Sequence, residues 1–171
     1  MANTFTLINS YTATGSVASI AFTSIPATFT DLNLVLSLRF SLNDTSSINV
    51  SFNGTTANYS GVAVRGSGSG TPIGFTFSTN NIGGNSTGSS GSQTANTFAS
   101  SSLYISKYAS ANYKSVSVDF AQESNFAQAF MGFYGALWAD TAAITSITIT
   151  PDSGTNWLTH STAYLYGVKN S

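Results

Sequence analysis

The fold class follows from one stretch of the chain, Asp31-Leu32-Asn33-Leu34-Val35-Leu36-Ser37-Leu38-Arg39-Phe40. Every even-numbered position from 32 to 38 is leucine, and the positions between them are Asn33, Val35 and Ser37. Successive side chains of a β-strand point to opposite faces of its sheet, so the leucines would share one face. The stretch therefore predicts a strand with one side buried in a hydrophobic core.

Similar short segments recur along the chain and are separated by turn residues. They predict further strands at 4–8, 17–22, 48–52, 59–64, 102–105, 115–120, 130–138, 144–150 and 163–168. Asn53-Gly54 favours a chain reversal, which would make 59–64 the return strand of 48–52. No segment carries a clear helical stripe, although 123–129 fits one turn. Roughly ten short strands predict one all-β domain spanning 1–171, an antiparallel β-sandwich with jelly-roll-like connections.

The segment 66–92 is rich in Gly, Ser, Thr and Asn and interrupts the regular spacing of the strands. Unstructured loops of this length are uncommon inside a compact domain. Ile73, Phe75 and Phe77 alternate with smaller residues after Pro72, which predicts a short strand within the insertion. Two interpretations stay open: the insertion folds back on its own domain, or it forms an arm that reaches a partner.

Charged residues are scarce, and their scarcity restricts the possible functions. The chain has 5 Lys/Arg and 6 Asp/Glu in 171 residues, with a net charge of −1. Ordinary domains use about a quarter of their residues for charge. So few cations predict no binding to nucleic acid or to an anionic membrane. The shortage of general acids, bases and metal ligands predicts a protein that is not an enzyme and that needs no cofactor or metal.

Two further absences concern compartment and cross-links. The chain has no cysteine, which excludes disulfides and thiolate metal sites. Met1-Ala2-Asn3-Thr4 lacks the basic and apolar regions of a signal peptide, and no apolar run approaches the ~20 residues of a membrane span. We therefore expect a protein that is made in a cytoplasm and is not inserted in a membrane.

The few residues that could carry catalysis lack the context that catalysis requires. His160 is the lone histidine, and no Gly-x-Ser-x-Gly turn accompanies it. Asp119 and Glu123 form the nearest pair of carboxylates, but Asp119 is expected to face solvent or to pair with Lys114 or Arg39. The loops at 43–45 and 152–156 each offer one carboxylate, too few for calcium. No catalytic, cofactor-binding or metal-binding residue is predicted.

The aromatic residues divide between core and surface. Tyr134 and Trp138 share one face of the strand at 130–138, while Met131 and Phe133 share the other. Because both faces are apolar, the pattern predicts a central strand that is buried on both sides. Trp157 lies next to Asn156 in a predicted loop, so it is the expected exposed aromatic contact.

Four blocks of the sequence, in order, resemble a family of small structural proteins from the virions of tailed bacteriophages. The blocks are FTSIPATFTDLNLVL at 22–36, VSFNG at 50–54 with NYS at 58–60, YKSVSVD at 113–119, and GALW at 135–138 with AAITSIT at 142–148 and YLYGVK at 164–169. The resemblance covers most of the chain apart from the insertion. It implies a jelly-roll-like sandwich that serves as a head decoration (cement) protein or as part of a tail fibre, and it supplies no catalytic residue.

These observations lead to one expected function and two alternatives. The expected function is a capsid decoration protein on the outer capsid surface, which would bind the major capsid protein and copies of itself as a homotrimer and clamp neighbouring capsomers. The first alternative is a tail-fibre or receptor-binding module for host surface glycans, with Trp157 and Asn156 as contacts. The second is a glycan-cleaving enzyme that uses Asp119. Six residues are the candidate partner contacts: Phe5, Leu7, Ile73, Phe75, Phe77 and Trp157.

Overall fold

A computed structural model describes residues 4–41, 47–67, 70–79, 82–84, 94–122, 130–151 and 156–169. These residues form strands and no helix, which confirms the predicted all-β class. The strands are β1 (Phe5–Thr12), β2 (Ile20–Phe22), β3 (Asp31–Leu38), β4 (Ile48–Phe52), β5 (Tyr59–Ser67), β6 (Ile73–Thr79), β7 (Ile82–Gly84), β8 (Ala99–Ile105), β9 (Lys114–Gln122), β10 (Phe130–Trp138), β11 (Ile147–Pro151) and β12 (Thr162–Val168).

The strands form two antiparallel sheets. The large sheet has eight strands in the order β1-β12-β3-β8-β9-β10-β5-β6. The small sheet has four strands in the order β2-β11-β4-β7. In the large sheet β8, β9 and β10 follow one another as a meander, whereas β3 and β4 are consecutive in sequence and lie in different sheets.

The hydrophobic core lies between the two sheets. Buried residues alternate along β3 and β9 of the large sheet and along β4 and β11 of the small sheet, and they join in one cluster. The rings of Phe52 in the small sheet and Trp138 in the large sheet meet edge-on, with centroids 5.5 Å apart. The sheets therefore pack face to face as a β-sandwich, as their alternating patterns predict.

The two sheets differ greatly in width. With ~4.8 Å between neighbouring strands, eight strands span roughly 34 Å and four strands roughly 14 Å. The small sheet therefore cannot cover the whole inner face of the large sheet, which is the face that points toward it. On β6, at one edge of the large sheet, Ile73 remains 50% exposed although its alternation with Phe75 and Phe77 places it on the inner face.

Two predictions of strand arrangement are wrong. The second strand begins at Ile20 rather than at Val17, which instead makes an isolated bridge to Trp157. The strand after the Asn53-Gly54 turn does not return beside β4, because β4 pairs with β11 and β7 while β5 pairs with β10 and β6. Both turn residues have positive φ, 52° and 69°, as predicted. Asn53 also binds a distant segment, since its Oδ1 accepts the backbone N–H of Thr145 at 2.8 Å.

The insertion at 66–92 contains a strand where alternation predicts one. β6 pairs with β5 along its length, from Ile73 opposite Arg65 to Thr79 opposite Tyr59. β7 adds to the small sheet beside β4. The described part of the insertion therefore folds back on its own domain, as one of the two interpretations expects. The segment at 123–129, where one helical turn is possible, lies outside the described residues.

Candidate interaction surface

Large apolar side chains lie next to one another on the outer face of the large sheet, the face turned away from the small sheet. Val62 and Val64 of β5 are 59% and 55% exposed, and Met131 and Phe133 of β10 are 56% and 63% exposed. The register sets Phe133 beside Val64 and Gly135 beside Val62. We call these four apolar side chains, with Gly135 between them, the β5/β10 patch. It borders a shallow groove of about 310 Å³.

The patch corrects the prediction that β10 is buried on both faces. Tyr134 and Trp138 are in the core as predicted, but Met131 and Phe133 point to the outer face, which no described element covers. On β5 the buried position 63 is alanine and its exposed neighbours are valines. At positions 62 to 64 the larger side chains therefore lie on the outer face.

Crowding on the inner face explains why two inner positions of these strands, 61 and 132, are glycine. A Cβ added to Gly132 would lie 2.6 Å from Cε1 of Phe120 and 2.6 Å from the Val64 carbonyl oxygen. A Cβ added to Gly61 would overlap the ring of Phe77. Aromatic rings thus fill the space above these glycines, and the fold requires glycine at both positions.

The two edge strands of the large sheet carry further exposed apolar residues. On β1, Phe5 and Leu7 are 52% and 51% exposed, and both are among the predicted contacts. Neither β1 nor β6 contains a charged residue or a proline, although β1 has an irregularity between Leu7 and Asn9. Edge strands usually carry such residues to prevent pairing with another chain, so these edges are weakly protected.

Of the three predicted contacts on β6, Ile73 is exposed, whereas Phe75 and Phe77 pack against the domain's own core. Phe75 and Phe77 approach the ring of Tyr134 edge-on, with centroids 6.3 Å and 6.2 Å away. Burial raises the pKa of the Tyr134 hydroxyl. These rings close the end of the core where the small sheet is too narrow, whereas Ile73 is free to meet a neighbour.

The prediction that Trp157 is an exposed contact is wrong, because its side chain is fully buried. Its indole N–H donates to the carbonyl of Ile149 at 3.2 Å, and its ring meets Phe40 edge-on at 6.5 Å. Its backbone pairs with Val17 and Phe40. Trp157 is therefore a core residue that ties the chain between β11 and β12 to both sheets.

Several of the few charged side chains are buried and hold the fold together. Asp31 accepts hydrogen bonds from the Tyr104 hydroxyl at 2.7 Å and from the Lys107 backbone N–H at 2.8 Å. The hydrogen bond to Asp31 raises the pKa of Tyr104 to about 12. The Arg39 guanidinium donates to the Thr94 carbonyl at 2.6 Å. These groups satisfy backbone groups inside the protein.

Lys114 is a further buried charge, at the start of β9. Its ammonium donates to the carbonyls of Asn112 and Asp140 and lies 5.7 Å from the centre of the Trp138 ring. Burial lowers the pKa of Lys114. Lys114 and Arg39 thus bind carbonyl groups, and Asp119 lies exposed on β9, in line with the expectation that it faces solvent.

The residues considered for catalysis or metal binding do not come together in the described part of the chain. His160 is exposed in a turn with φ of 72°. Glu123 and Asp152 lie outside the described residues. Among the described residues, no three His, Asp or Glu side chains are close enough to hold a metal ion. Nor does a helix long and apolar enough to cross a membrane occur there.

Comparisons with protein-family models, with curated proteins and with solved structures find no match to this chain. Function is therefore proposed from the chain's own surface and from the resemblance in its sequence blocks. The surface that sequence reasoning missed is the β5/β10 patch. One signal of it is present in the sequence, since Gly61-Val62-Ala63-Val64 alternates small and β-branched residues in the order that places valine opposite the core.

Proposed function

We propose that this chain is a structural protein of a tailed-phage virion, and that it acts as a capsid decoration protein on the outer capsid surface. The observation that carries the proposal is the β5/β10 patch on the outer face of the large sheet, which no described element covers, together with two edge strands that contain no charged residue. Such a face suits a protein that works in permanent contact with neighbouring subunits. The resemblance of the four sequence blocks supports the choice of a virion.

The proposed partner contacts use apolar burial and backbone hydrogen bonds. β1 offers Phe5 and Leu7 together with the unpaired backbone groups of an edge strand, so it suits strand addition by the major capsid protein. Contacts of this kind bury few charges, which avoids the desolvation cost that an interfacial ion pair carries. The homotrimer expected from the resemblance remains part of the proposal.

The jelly-roll relation is a proposal about connectivity. The connections that pass from one sheet to the other are β1–β2, β2–β3, β3–β4, β4–β5, β6–β7, β7–β8, β10–β11 and β11–β12. Jelly rolls alternate between two sheets in the same manner. The meander of β8, β9 and β10 departs from that pattern, so we propose a jelly-roll-like sandwich with an added meander.

Binding to purified capsids tests the proposal. Particles of the encoding phage should carry this protein in hundreds of copies that track the major capsid protein, and removal and re-addition should restore the same number. A few dozen copies per particle would place the protein in the tail and contradict the decoration role. Absence from particles would contradict any virion role.

A variant pair locates the contact on β1. Phe5→Ser with Leu7→Ser should weaken binding to undecorated capsids by at least ~10-fold, because it removes two apolar anchors. Tyr113→Ser is the matched control, since Tyr113 is also a large exposed residue, at 60%, and lies outside the edge strands. Serines at Phe75 and Phe77 would be a poorer test, because those rings pack on Tyr134 and their loss would disturb the core.

The glycan-binding alternative has lost its expected contact residue. It relied on an exposed Trp157, and that side chain is buried. A glycan array remains the direct test, and specific binding there would favour a tail-fibre module over a decoration protein.

A further inference from the structure

The β5/β10 patch contains a glycine that the chain's own packing does not require. A Cβ added to Gly135 would meet a single atom within 4 Å, Cγ2 of Val62 at 4.0 Å, and Gly135 has no positive φ. Glycine in the middle of a strand weakens it and often marks the close approach of another backbone or a ligand. Space above Gly135 is therefore available to something outside this chain.

A projecting side chain lies beside this space on the same strand. Phe133 is 63% exposed and precedes Gly135 by two residues, so the two positions are ~7 Å apart on one face. Phe133 is a knob and Gly135 is a hole. A surface with a knob and a hole side by side is complementary to a second copy of itself that is turned through 180°.

We propose that a second copy of this chain packs its β5/β10 patch against the first, face to face, around a two-fold axis. The axis lies in the interface plane, runs nearly perpendicular to β10 and passes over that strand at Tyr134. Rotation about it exchanges positions that are equally far from Tyr134 in opposite directions. Phe133 of each copy then faces Gly135 of the other, and both holes are filled.

The register of the neighbouring strands extends the match. Val64 and Asp119 are level with Phe133, whereas Val62 and Ser117 are level with Gly135. The same rotation therefore brings Val64 over Val62, so that apolar residues meet on β5. On β9 it brings Asp119 over Ser117, so that a carboxylate faces a hydroxyl group instead of a second carboxylate.

β6 repeats the pairing of a larger residue with a glycine. Gly74 is level with Val64 and Thr76 is level with Val62, so the rotation sets each Thr76 over a Gly74. A Cβ on Gly74 would have the Ala63 carbonyl oxygen at 3.8 Å as its nearest neighbour, so the fold leaves room there too. Packed sheets cross at ~30°, so strands far from the centre of the contact diverge, and the match is closest at β10 and β5.

The apolar patch alone supplies part of the area that a stable contact with a second copy buries. Each half-exposed large side chain offers on the order of 100 Å² for burial, which gives roughly 400 Å² per copy and roughly 800 Å² for the pair. Specific interfaces bury ~1,200–2,000 Å² in total. Leu137 and the exposed serines Ser60, Ser115 and Ser117 surround the patch and supply further area and hydrogen bonds.

The inference concerns contact between copies and does not rest on the proposed virion role. A homotrimer that forms through other surfaces would become a hexamer through this one, so an even number of copies is expected in either case. Mass measurements on the purified chain test the pairing, whereas capsid binding tests the proposed function, and the two can fail separately.

The experiment compares four proteins by sedimentation over a wide range of concentrations. Wild type should associate reversibly to an even multiple of the 17.8 kDa chain. Gly135→Phe sets two knobs against each other and Phe133→Gly leaves two holes, so each should raise the dissociation constant by at least ~100-fold. The double variant Phe133→Gly/Gly135→Phe exchanges knob and hole and should return to within ~10-fold of wild type.

Tyr113→Ser is the control for loss of an exposed aromatic residue and should associate as wild type does. Circular dichroism and the fluorescence of the buried tryptophans verify that each variant is folded. A wild-type protein that stays monomeric or forms only odd multiples overturns the proposal without reference to any variant. A double variant that associates no better than the single variants overturns the two-fold match, as would normal association of Gly135→Phe.

Discussion

Alanine at Gly132 and alanine at Gly135 should change the free energy of unfolding in opposite directions, although both positions lie on β10. Gly132 points into the core, where a Cβ would lie 2.6 Å from Phe120 Cε1 and from the Val64 carbonyl oxygen. Gly135 points outward, and its nearest neighbour would be Val62 Cγ2 at 4.0 Å. The pair therefore compares a crowded site with an open one on the same strand.

The magnitudes follow from crowding and from chain entropy. The Val64 carbonyl belongs to β5, which pairs with β10, so it cannot move away without disturbing the ladder. Overpacking of this kind costs ~1–3 kcal/mol, while alanine gains ~0.5–1 kcal/mol over glycine by restricting the unfolded chain. We expect Gly132→Ala to lose ~1–2 kcal/mol and Gly135→Ala to gain ~0.5–1 kcal/mol.

Urea unfolding provides the measurement, with the fluorescence of Trp138 and Trp157 as the signal, since both side chains are fully buried. Protein concentrations below the dissociation constant keep association from contributing to the apparent stability. The slope of unfolding free energy against urea should be the same in all three proteins. Equal stabilities of the two variants, within about 0.5 kcal/mol, would refute the assignment of inner and outer faces on β10.

Three further predictions concern Trp157, Lys114 and Tyr104. Trp157→Ala should cost ~3–5 kcal/mol in urea unfolding, whereas an exposed glycan contact would cost almost nothing. Lys114→Ala should cost ~2–4 kcal/mol and Lys114→Met about half as much, because Met keeps the packing and loses the ammonium donor; a Lys114→Met variant as stable as wild type would contradict the role of that donor. Because the folded state raises the pKa of Tyr104 to about 12 from 10.0, its contribution is complete below pH 10 and lost as pH rises to 12. Tyr104→Phe should therefore lose less stability than wild type between pH 10 and 12 in urea titrations, and equal losses would contradict this.

The strands that sequence reasoning located best are those whose pattern is local. The leucines of β3 are buried and its odd-numbered residues 33, 35 and 37 are partly exposed, as the alternation predicts. β10 has the predicted limits, Phe130–Trp138. In both strands the side-chain period alone determines which residues share a face, and that period is a property of neighbouring residues.

Long-range arrangement could not be predicted in the same way. β4 and β5 are adjacent in sequence, but the choice of partner strand depends on β10 and β11, which lie far along the chain. The outer face of β10 would be buried only if another layer of structure packed on it. The alternation of residues along β10 does not indicate whether such a layer exists. Trp157 lies in a polar neighbourhood of the sequence, yet its burial results from contacts with Phe40 and Ile149.

The scarcity of charge acquires a more specific meaning from the structure. Asp31, Arg39 and Lys114 are all buried, and they bind backbone carbonyls, a backbone N–H or a tyrosine hydroxyl inside the fold. The described part of the surface is therefore even poorer in charge than the composition indicates. Among the described residues on the outer faces of β5, β9 and β10, only Asp119 is charged. A face of valines, serines and glycines with one carboxylate per copy can meet its own copy without setting like charges together, because the two-fold rotation moves Asp119 over Ser117. The scarcity of charge on this face thus favours contact between identical subunits.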